Sequence, residues 1–438
     1  MDLTKYRTIR VASCDLNGQL RGKRVPASYA AKLDKGAVRM PYSVANVDIF
    51  GADIADSPLV FESGDADGVL RPTERGAVPM PWLPTDTALV PMWLYHDDGT
   101  PFDGDPRHAL ALVLDRYAAR GWRVMAATEM EFHLVDDSGA TLAAPTDPAT
   151  GRKVTEPAVL SLHHLDTFDG FFTDLYEGCA AMEIDAQAAI SEAGLGQFEI
   201  NLNHCNALRA ADDAVLFKAL VKGLARRHGI AATFMAKPFA EDAGNGMHVH
   251  FSVLDASGNN VFDDGTETGS DTLRHAVAGC LSAMAASTLI FAPHANSYDR
   301  LVPGAHAPTG VAWAYDNRTS ALRIPGGAPA ARRIEHRVAG GDINPYLMLA
   351  VVLGAALNGI EDAQDPPAPI TGNAYDLDLP QIPCDWATAI DLFETDPAIA
   401  RILPADLIRN LCCTKRQELR EMAAIAPEEH WKTYLETV

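Results

Sequence analysis

The chain predicts an α+β fold, on three observations. Four stretches alternate with a period of two, the signature of strands with one polar and one packed face. Between them run helical stripes bounded by capping residues, without a strict βαβ rhythm. Neither a Rossmann glycine fingerprint nor a Walker A sequence is present to set up a parallel nucleotide-binding sheet.

In chain order, Thr8–Leu16 and Gln19–Val25 flank Asn17-Gly18, which predicts a β-hairpin closed by a type I′ turn. From Met40 to Asp98 the chain is rich in Pro, Gly and Asp with short strands such as Ala88–Trp93. Residues 1–103 therefore read as a small sheet domain, and 104–438 as a second, larger one. Asp105-Pro106 opens a helix, Leu110, Val113, Leu114 and Tyr117 form its stripe, and Gly121 ends it. A strand carrying Glu129 and Glu131 follows, then an irregular segment at 136–158 and a helix near 168–182. A single strand is expected over Glu192–Asn203, a helix over Ala211–His228 and a short strand over Ala232–Ala236. The acidic, Gly-rich segment Asp255–Asp271 reads as a solvated loop. Beyond residue 340 the pattern is mostly helical, interrupted by the Pro-rich 365–370. The apolar runs at 275–292 and 347–360 are too short or too Ala/Gly-rich to span a bilayer and read as buried helices.

Composition narrows the function. At 438 residues the chain buries a large core, and 47% hydrophobic with 21% charged residues is ordinary for a globular protein. A net charge of −22 argues against nucleic-acid and anionic-membrane binding. Seven widely spaced cysteines form neither a disulfide framework nor a CxxC metal pattern, and the N-terminus lacks an apolar signal core; cytoplasm is the expected compartment.

The chemistry concentrates in the alternating stretches. In Met247–Ser252, Met247, Val249 and Phe251 share one face while His248, His250 and Ser252 share the other. Thr128–His133, Gln197–Asn203 and Arg333–Arg337 repeat the pattern with Glu, Asn and Arg in front. A polar row facing water explains any one of them. Four together, with Glu or His at the centre, point to an active site. Glu129, Glu131, Glu192, Glu199, Glu335 and His248 form a candidate metal set; five carboxylates with one imidazole favour Mg²⁺ or Mn²⁺ over Zn²⁺, in more than one copy. Arg300, Arg318, Arg323, Arg332, Arg333 and Arg337 crowd one segment of an acidic chain, which implies an anionic ligand; salt bridging is the plainer account for one or two, Arg332 among them. Metals beside arginines point to phosphoryl transfer from a nucleotide. Pro303–Gly310 brackets His306 with Pro and Gly, as in a closing loop or a bland turn.

These residues resemble the glutamine synthetase superfamily. The resemblance is carried by Asp15-Leu16-Asn17-Gly18, Asp105-Pro106-Arg107, Glu129-x-Glu131, Glu192 with Gly196-Gln197-x-Glu199, and Lys237-Pro238. It continues through Gly246-Met247-His248-x-His250-x-Ser252, Asn296–Gly304, Asn317-Arg318, Arg333-Ile334-Glu335-x-Arg337 and Asn344-Pro345-Tyr346. It implies a β-grasp-like N-terminal domain and a catalytic domain built on a curved antiparallel sheet flanked by helices. It also implies a ring-shaped homo-oligomer, a dodecamer of two stacked hexamers, with active sites between subunits. Glu131, Glu192 and Glu199 resemble the ligands of one divalent ion, and Glu129, His248 and Glu335 those of the nucleotide-side ion. Arg318 and Arg333 resemble ATP-phosphate contacts, Arg318 counting also among the catalytic groups, with Ser252 and Arg323 near the nucleotide and His250 by the transferred phosphate. Gly244, Arg300 and Arg337 resemble the groups that hold L-glutamate. The implied mechanism passes through γ-glutamyl phosphate, which an amine then attacks.

Three departures redirect the acceptor. His306 stands where glutamine synthetases carry a flap glutamate that traps ammonium, and a neutral imidazole offers no such charge. The aspartate-glycine-serine-serine signature is replaced by Asn46–Gly51, with Asp48 as its catalytic counterpart, and Ala243 replaces an Asn. They resemble the branch that joins glutamate to organic amines such as polyamines or small alkylamines; Asp48, Asp53 and Asp56 offer charge to a diamine or form a solvated turn. The alternatives are a glutamine synthetase using His306 as its base, and an inactive ring-forming relative. The last predicts lost metal ligands, and none is lost.

Overall fold

The computed structural model describes residues 3–302, 304 and 307–438, with the side chain of Asp34 outside that description. His306, with Pro303 and Ala305, lies outside the described residues. The fold is α+β with two sheets.

The first sheet comprises β1 (Thr8–Cys14), β2 (Leu20–Pro26), β3 (Val38–Pro41), β4 (Asp67–Pro72), β5 (Val78–Pro79) and β6 (Thr87–Tyr95). Its order is β2-β1-β6-β4-β3 with β5 on β6, antiparallel except for β1–β6. β6 is buried along nearly all its length because it is central and covered on both sides. Ala88, Val90, Met92 and Leu94 face a small core of this sheet, while Leu89 faces the main core.

The hairpin differs from its expected turn. Of Asn17 and Gly18, only Gly18 has positive φ, at 82°. Gly18 N–H donates to Asp15 O and Asp15 N–H to Gln19 O, a three-residue loop rather than a type I′ turn. The reason is the Asp15 carboxylate, whose Oδ1 accepts from the N–H of both Asn17 and Gln19 at 2.9 Å and so keeps Asn17 in the ordinary region.

The second sheet comprises β7 (Arg123–Val135), β8 (Ala186–Ser191), β9 (Gln197–Asn206), β10 (Ala231–Thr233), β11 (Met247–Leu254), β12 (Trp313–Tyr315), β13 (Leu322–Ile324) and β14 (Ile334–His336). The order is β12-β13-β14-β11-β7-β9-β8, with β10 on β7. All pairs are antiparallel except β12–β13. The strand expected over Glu192–Asn203 begins only at Gln197: Glu192 lies just past β8, and its N–H donates to Gln197 O across the turn into β9. Gly196, at φ 74°, makes that reversal possible.

The back of this sheet is apolar and fully covered. Val124, Met130, Phe132, Met247, Val249 and Phe251 are buried. Phe132 packs among Phe171, Phe198, Phe217 and Phe234 with ring centroids 5.7–6.4 Å away. Helices Pro106–Ala118, Asp169–Ala181, Ala207–Arg227 and Pro345–Glu361 contribute to the same core. The first of them starts as expected, with Asp105 Oδ1 accepting from Arg107 N–H at 2.8 Å. Among the described residues no helix is long and apolar enough to cross a membrane.

Two buried polar joints tie the sheets together. Arg107 binds Asp212 through two 2.8 Å hydrogen bonds and lies 3.8 Å from the Trp93 ring. At the other joint, Asn17 donates to Glu418 Oε1 at 2.7 Å, Ile49 N–H reaches the same oxygen, and Lys415 donates to Glu418 Oε2 at 2.8 Å. Glu418 and Lys415 lie on the helix Ala405–Met422, which also carries Cys412 and Cys413.

Candidate active site

The register of five neighbouring strands decides the site. On β7, Glu129 stands opposite His248 of β11 and opposite Asn201 of β9, while Glu131 stands opposite Glu199. His250 of β11 stands opposite Glu335 of β14, and Glu335 opposite Arg323 of β13. A period of two turns these groups to the same side of the sheet, while their sequence neighbours fill the core.

Glu129 is the hub. Its Oε2 lies 2.9 Å from His248 Nδ1 and its Oε1 2.9 Å from His250 Nε2. Burial pushes its carboxyl up, but the hydrogen bonds from the two imidazoles more than reverse this and hold it well below the usual carboxylate range. Glu335 has no exposed side-chain surface. Burial opposes its charge, and Arg337 and nearby imidazoles outweigh that, keeping its pKa low. It is gripped by Arg337 and, at 2.8 Å, by Arg323. Across β9 the balance runs the other way. Burial, then the charges of Glu131 and Glu129, push Glu192 up to about 7. Burial, then Glu129, Glu131 and Glu192, push Glu199 up to about 9.

This donor set fits divalent cations. Ligand atoms of Glu129, Glu199 and His248 lie within 4.8 Å of one another, as do those of Glu129, His250 and Glu335. Carboxylates that repel one another without a counter-charge are what a hard cation would neutralise, and oxygen ligands in the majority favour Mg²⁺ or Mn²⁺. Glu129 belongs to both groups, His248 lies with it as expected, and His250 also comes within reach of Glu129 and Glu335. The pairing of β11 with β14 brings His250 opposite Glu335, and register is not visible in one strand's sequence.

Other residues orient the set. Gly246 N–H donates to Glu131 Oε2 at 2.6 Å, and Gln197 Nε2 donates to Gly244 O at 2.9 Å and to Glu131. Asn201 donates to Glu199 Oε1 at 2.9 Å. Gln197 and Asn201 were not assigned roles from the sequence, yet both share the period-two row of Glu199, which is the signal that finds them. The glycines are required by space. A Cβ on Gly244 would stand 2.3 Å from Ala236 O, and one on Gly246 would stand 2.7 Å from Arg300 Nη2 and 3.2 Å from His248 Nε2.

A cavity of about 690 Å³ opens beside this cluster, and Glu129, His250, Ser252 and Arg333 line it. Arg333 Nε reaches His250 Nδ1 at 3.3 Å. Arg318 is exposed at the rim of a neighbouring cleft that Arg323 also lines, and its charge lowers Glu192. Arg300 is buried, with Nη1 on Val338 O at 2.7 Å. Arg332, expected to form a salt bridge, donates instead to Thr266 O at 2.8 Å.

Asp48 is not brought to this cluster within the chain. It is fully buried: Oδ1 accepts from the N–H of Phe50 and Ala52, and Oδ2 accepts from Gln417 at 2.8 Å. With both oxygens engaged inside its own chain, it organises the loop that follows it. Asp53 and Asp56 on that loop are exposed.

The glutamine synthetase catalytic-domain family profile matches residues 103–434. The chain belongs to the glutamine synthetase family. Its relatives place it with the glutamate–amine ligase branch of that superfamily. It is 35% identical to γ-glutamylputrescine synthetase of Escherichia coli, covering 97% of this chain and 90% of that one. It is 32% identical to glutamate–isopropylamine ligase of a Pseudomonas species, covering 98% and 95%. The solved apo structure of GmaS is 30% identical, with a TM-score of 0.84 over 98% of this chain and 97% of that one. Glutamine synthetase family enzymes use ATP and divalent metals, which agrees with the donor set found here.

Proposed function

We propose that this chain is an ATP-dependent ligase joining the γ-carboxylate of L-glutamate to an organic amine, a polyamine such as putrescine or a small alkylamine. The observation that carries the reading is the register-built cluster: four carboxylates and two imidazoles on one sheet face, with Glu192 in the turn beside them and Arg318, Arg323 and Arg333 nearby. Such a site stabilises charge on a transferring phosphoryl group and offers little covalent chemistry of its own. The amine-ligase names of the relatives at 32–35% identity support the choice of acceptor.

In the reaction, a γ-carboxylate oxygen of glutamate attacks the γ-phosphorus of ATP, the bond to the bridging oxygen breaks, and ADP leaves. The amine nitrogen then attacks the acyl carbon of γ-glutamyl phosphate, loses a proton, and inorganic phosphate departs. Glu131, Glu192 and Glu199, and Glu129, His248 and Glu335, would hold two divalent ions, with His250 beside the transferred phosphate. Bound there, these ions supply charge neutralisation to the phosphates. Arg318 and Arg333 neutralise phosphate oxygens, with Ser252 and Arg323 beside the nucleotide. Arg300, Arg337 and the backbone at Gly244 seat the amino acid, and His306 takes the place of the ammonium-binding glutamate. The working form is a homo-oligomeric ring, a dodecamer with sites between subunits, in the cytoplasm.

The test is phosphate release with Mg²⁺, ATP and glutamate, adding ammonium, isopropylamine, ethanolamine and putrescine separately. Turnover with organic amines and little with ammonium is expected. Preference for ammonium would make the chain a glutamine synthetase, as several relatives at 30–31% identity are named; no amine-dependent release with any acceptor would overturn the ligase reading.

A further inference from the structure

Glu129 and Glu131 head a row on β7 whose third member is His133. It continues the period of two, stands opposite Gln197 of β9 and Thr233 of β10, and is wholly buried. Its hydrogen bonds decide which ring nitrogen carries the proton. His133 Nδ1 lies 2.8 Å from Oδ1 of Asn245, the residue between Gly244 and Gly246. The Asn245 amide is fixed by backbone, because its Nδ2 donates to Met235 O at 2.9 Å and to Thr233 O at 3.3 Å. Its Oδ1 therefore accepts, and His133 Nδ1 donates. His133 Nε2 is enclosed without a partner, so a proton there would be a second buried donor with nothing to receive it.

The same network runs on to a carboxylate of the site. Gln197 is also oriented by backbone: its Oε1 accepts from Gly194 N–H at 2.8 Å, and its Nε2 donates to Gly244 O at 2.9 Å. One amide hydrogen is left for two acceptors, Asn245 Oδ1 and Glu131 Oε2, each 3.3 Å from Nε2. With His133 already donating to Asn245 Oδ1, that hydrogen is free to serve Glu131. The imidazole lies against the turn after Glu192 as well, since a Cβ on Gly194 would stand 2.6 Å from His133 Nε2.

We propose that His133 is a positioning residue for the cation site of Glu131, Glu192 and Glu199: by satisfying Asn245 it leaves Gln197 to hold Glu131. The inference rests on the metal assignment made within the ligase reading. Hydrogen-bonded partners behind metal ligands typically set affinity by about 10–100-fold.

The experiment measures Mn²⁺ binding to the whole protein through the loss of the free ion's electron paramagnetic resonance signal. Glu131→Gln identifies the class of site to which Glu131 belongs. His133→Leu and His133→Phe both remove the donor, so a failure of either to fold leaves the other. His133→Asn offers an amide donor close to where Nδ1 stood. The donorless variants should weaken the Glu131 class roughly 10-fold and leave the other class within about twofold, and His133→Asn should recover most of the loss. Unchanged affinity in the donorless variants would overturn the proposal. Equal weakening of both classes together with a lower unfolding midpoint, the mark of a merely structural role, would do so too. A wild type that binds Mn²⁺ yet turns over no amine would end the ligase reading and leave this comparison to decide the role of His133. A wild type that binds no Mn²⁺ would end the proposal itself.

Discussion

At the scale of single residues, the site is defined by which charges are compensated inside the protein and which await a ligand. Glu335 is buried and gripped by two guanidiniums, whereas Glu192 and Glu199 are pushed up by burial and then by the charges of their neighbours. Period two revealed that Glu129, Glu131, Glu199, His248 and Glu335 would face one way. It could not reveal that His250 would meet Glu335 or that Glu192 would sit in a turn, because both depend on register between strands far apart in sequence. Nor could it reveal that Asp48 spends both oxygens on Gln417 and its own loop. Lys218 gives a test on the far side of the sheet. Its ammonium is buried, donates to Ile343 O at 3.1 Å and lies 5.3 Å from the Phe234 ring; burial pushes its pKa down to about 8 from 10.5. The folded state thus releases this proton more readily than the unfolded chain, so the cost of the buried charge is full below about 8. Stability from this group is recovered as pH rises from about 8 toward 10.5, by at most about 3 kcal/mol. Urea midpoints between pH 8 and 10 should rise in wild type relative to Lys218→Met, and parallel curves for the two proteins would contradict this assignment.

At the scale of elements, the segment Gly244–Gly246 entering β11 shows why two glycines in one motif do different work. The Gly244 Cβ would strike a backbone carbonyl, which cannot step aside, whereas the Gly246 Cβ would strike the tip of Arg300. Gly244→Ala should therefore lower stability by about 1–3 kcal/mol, the range for overpacked cores with backbone shifts. Gly246→Ala should fold nearly normally and raise the glutamate KM at least roughly 10-fold by displacing a guanidinium already pinned to Val338 O. Chemical denaturation and initial rates on the two variants separate the effects; if both lose the same stability, the distinction drawn from the Cβ contacts is wrong. Elements with strong local signals were legible: the Asp105-Pro106 helix start, the Met247–Ser252 strand and the buried helices after residue 340. β8 was not, because Ala186–Ser191 carries Ala and Gln where a strand pattern needs alternating bulk. The hairpin turn was misread because a side chain, that of Asp15, and not the Asn-Gly pair chose its geometry.

At the scale of the whole molecule, the N-terminal sheet is held to the C-terminal helix by a buried charge pair rather than by apolar contact alone. Lys415 and Glu418 are 0% exposed and share Asn17 between them. Removing one partner strands the other, so Glu418→Ala should destabilise the protein by about 3–5 kcal/mol. Replacing both with Met should cost much less, because a paired apolar substitution leaves no uncompensated charge. Equilibrium unfolding of the single and double variants gives the coupling, and additive losses would show that the pair does not act as a unit. Composition and length indicated two units, but this joint is invisible to local patterning, since Asn17 and Glu418 lie at opposite ends of the chain.

The central position of β7 has a consequence for the newborn polypeptide. Glu129 emerges early in synthesis, while its companion Glu335 follows roughly 200 residues later and joins only when β14 pairs with β11. Until then the exposed edge of β11 is a growing chain's aggregation hazard, and closing so long a loop makes assembly slow. A ribosome-bound or truncated chain ending before Ile334 therefore carries Glu129, Glu131 and both histidines but lacks the buried carboxylate that completes their set.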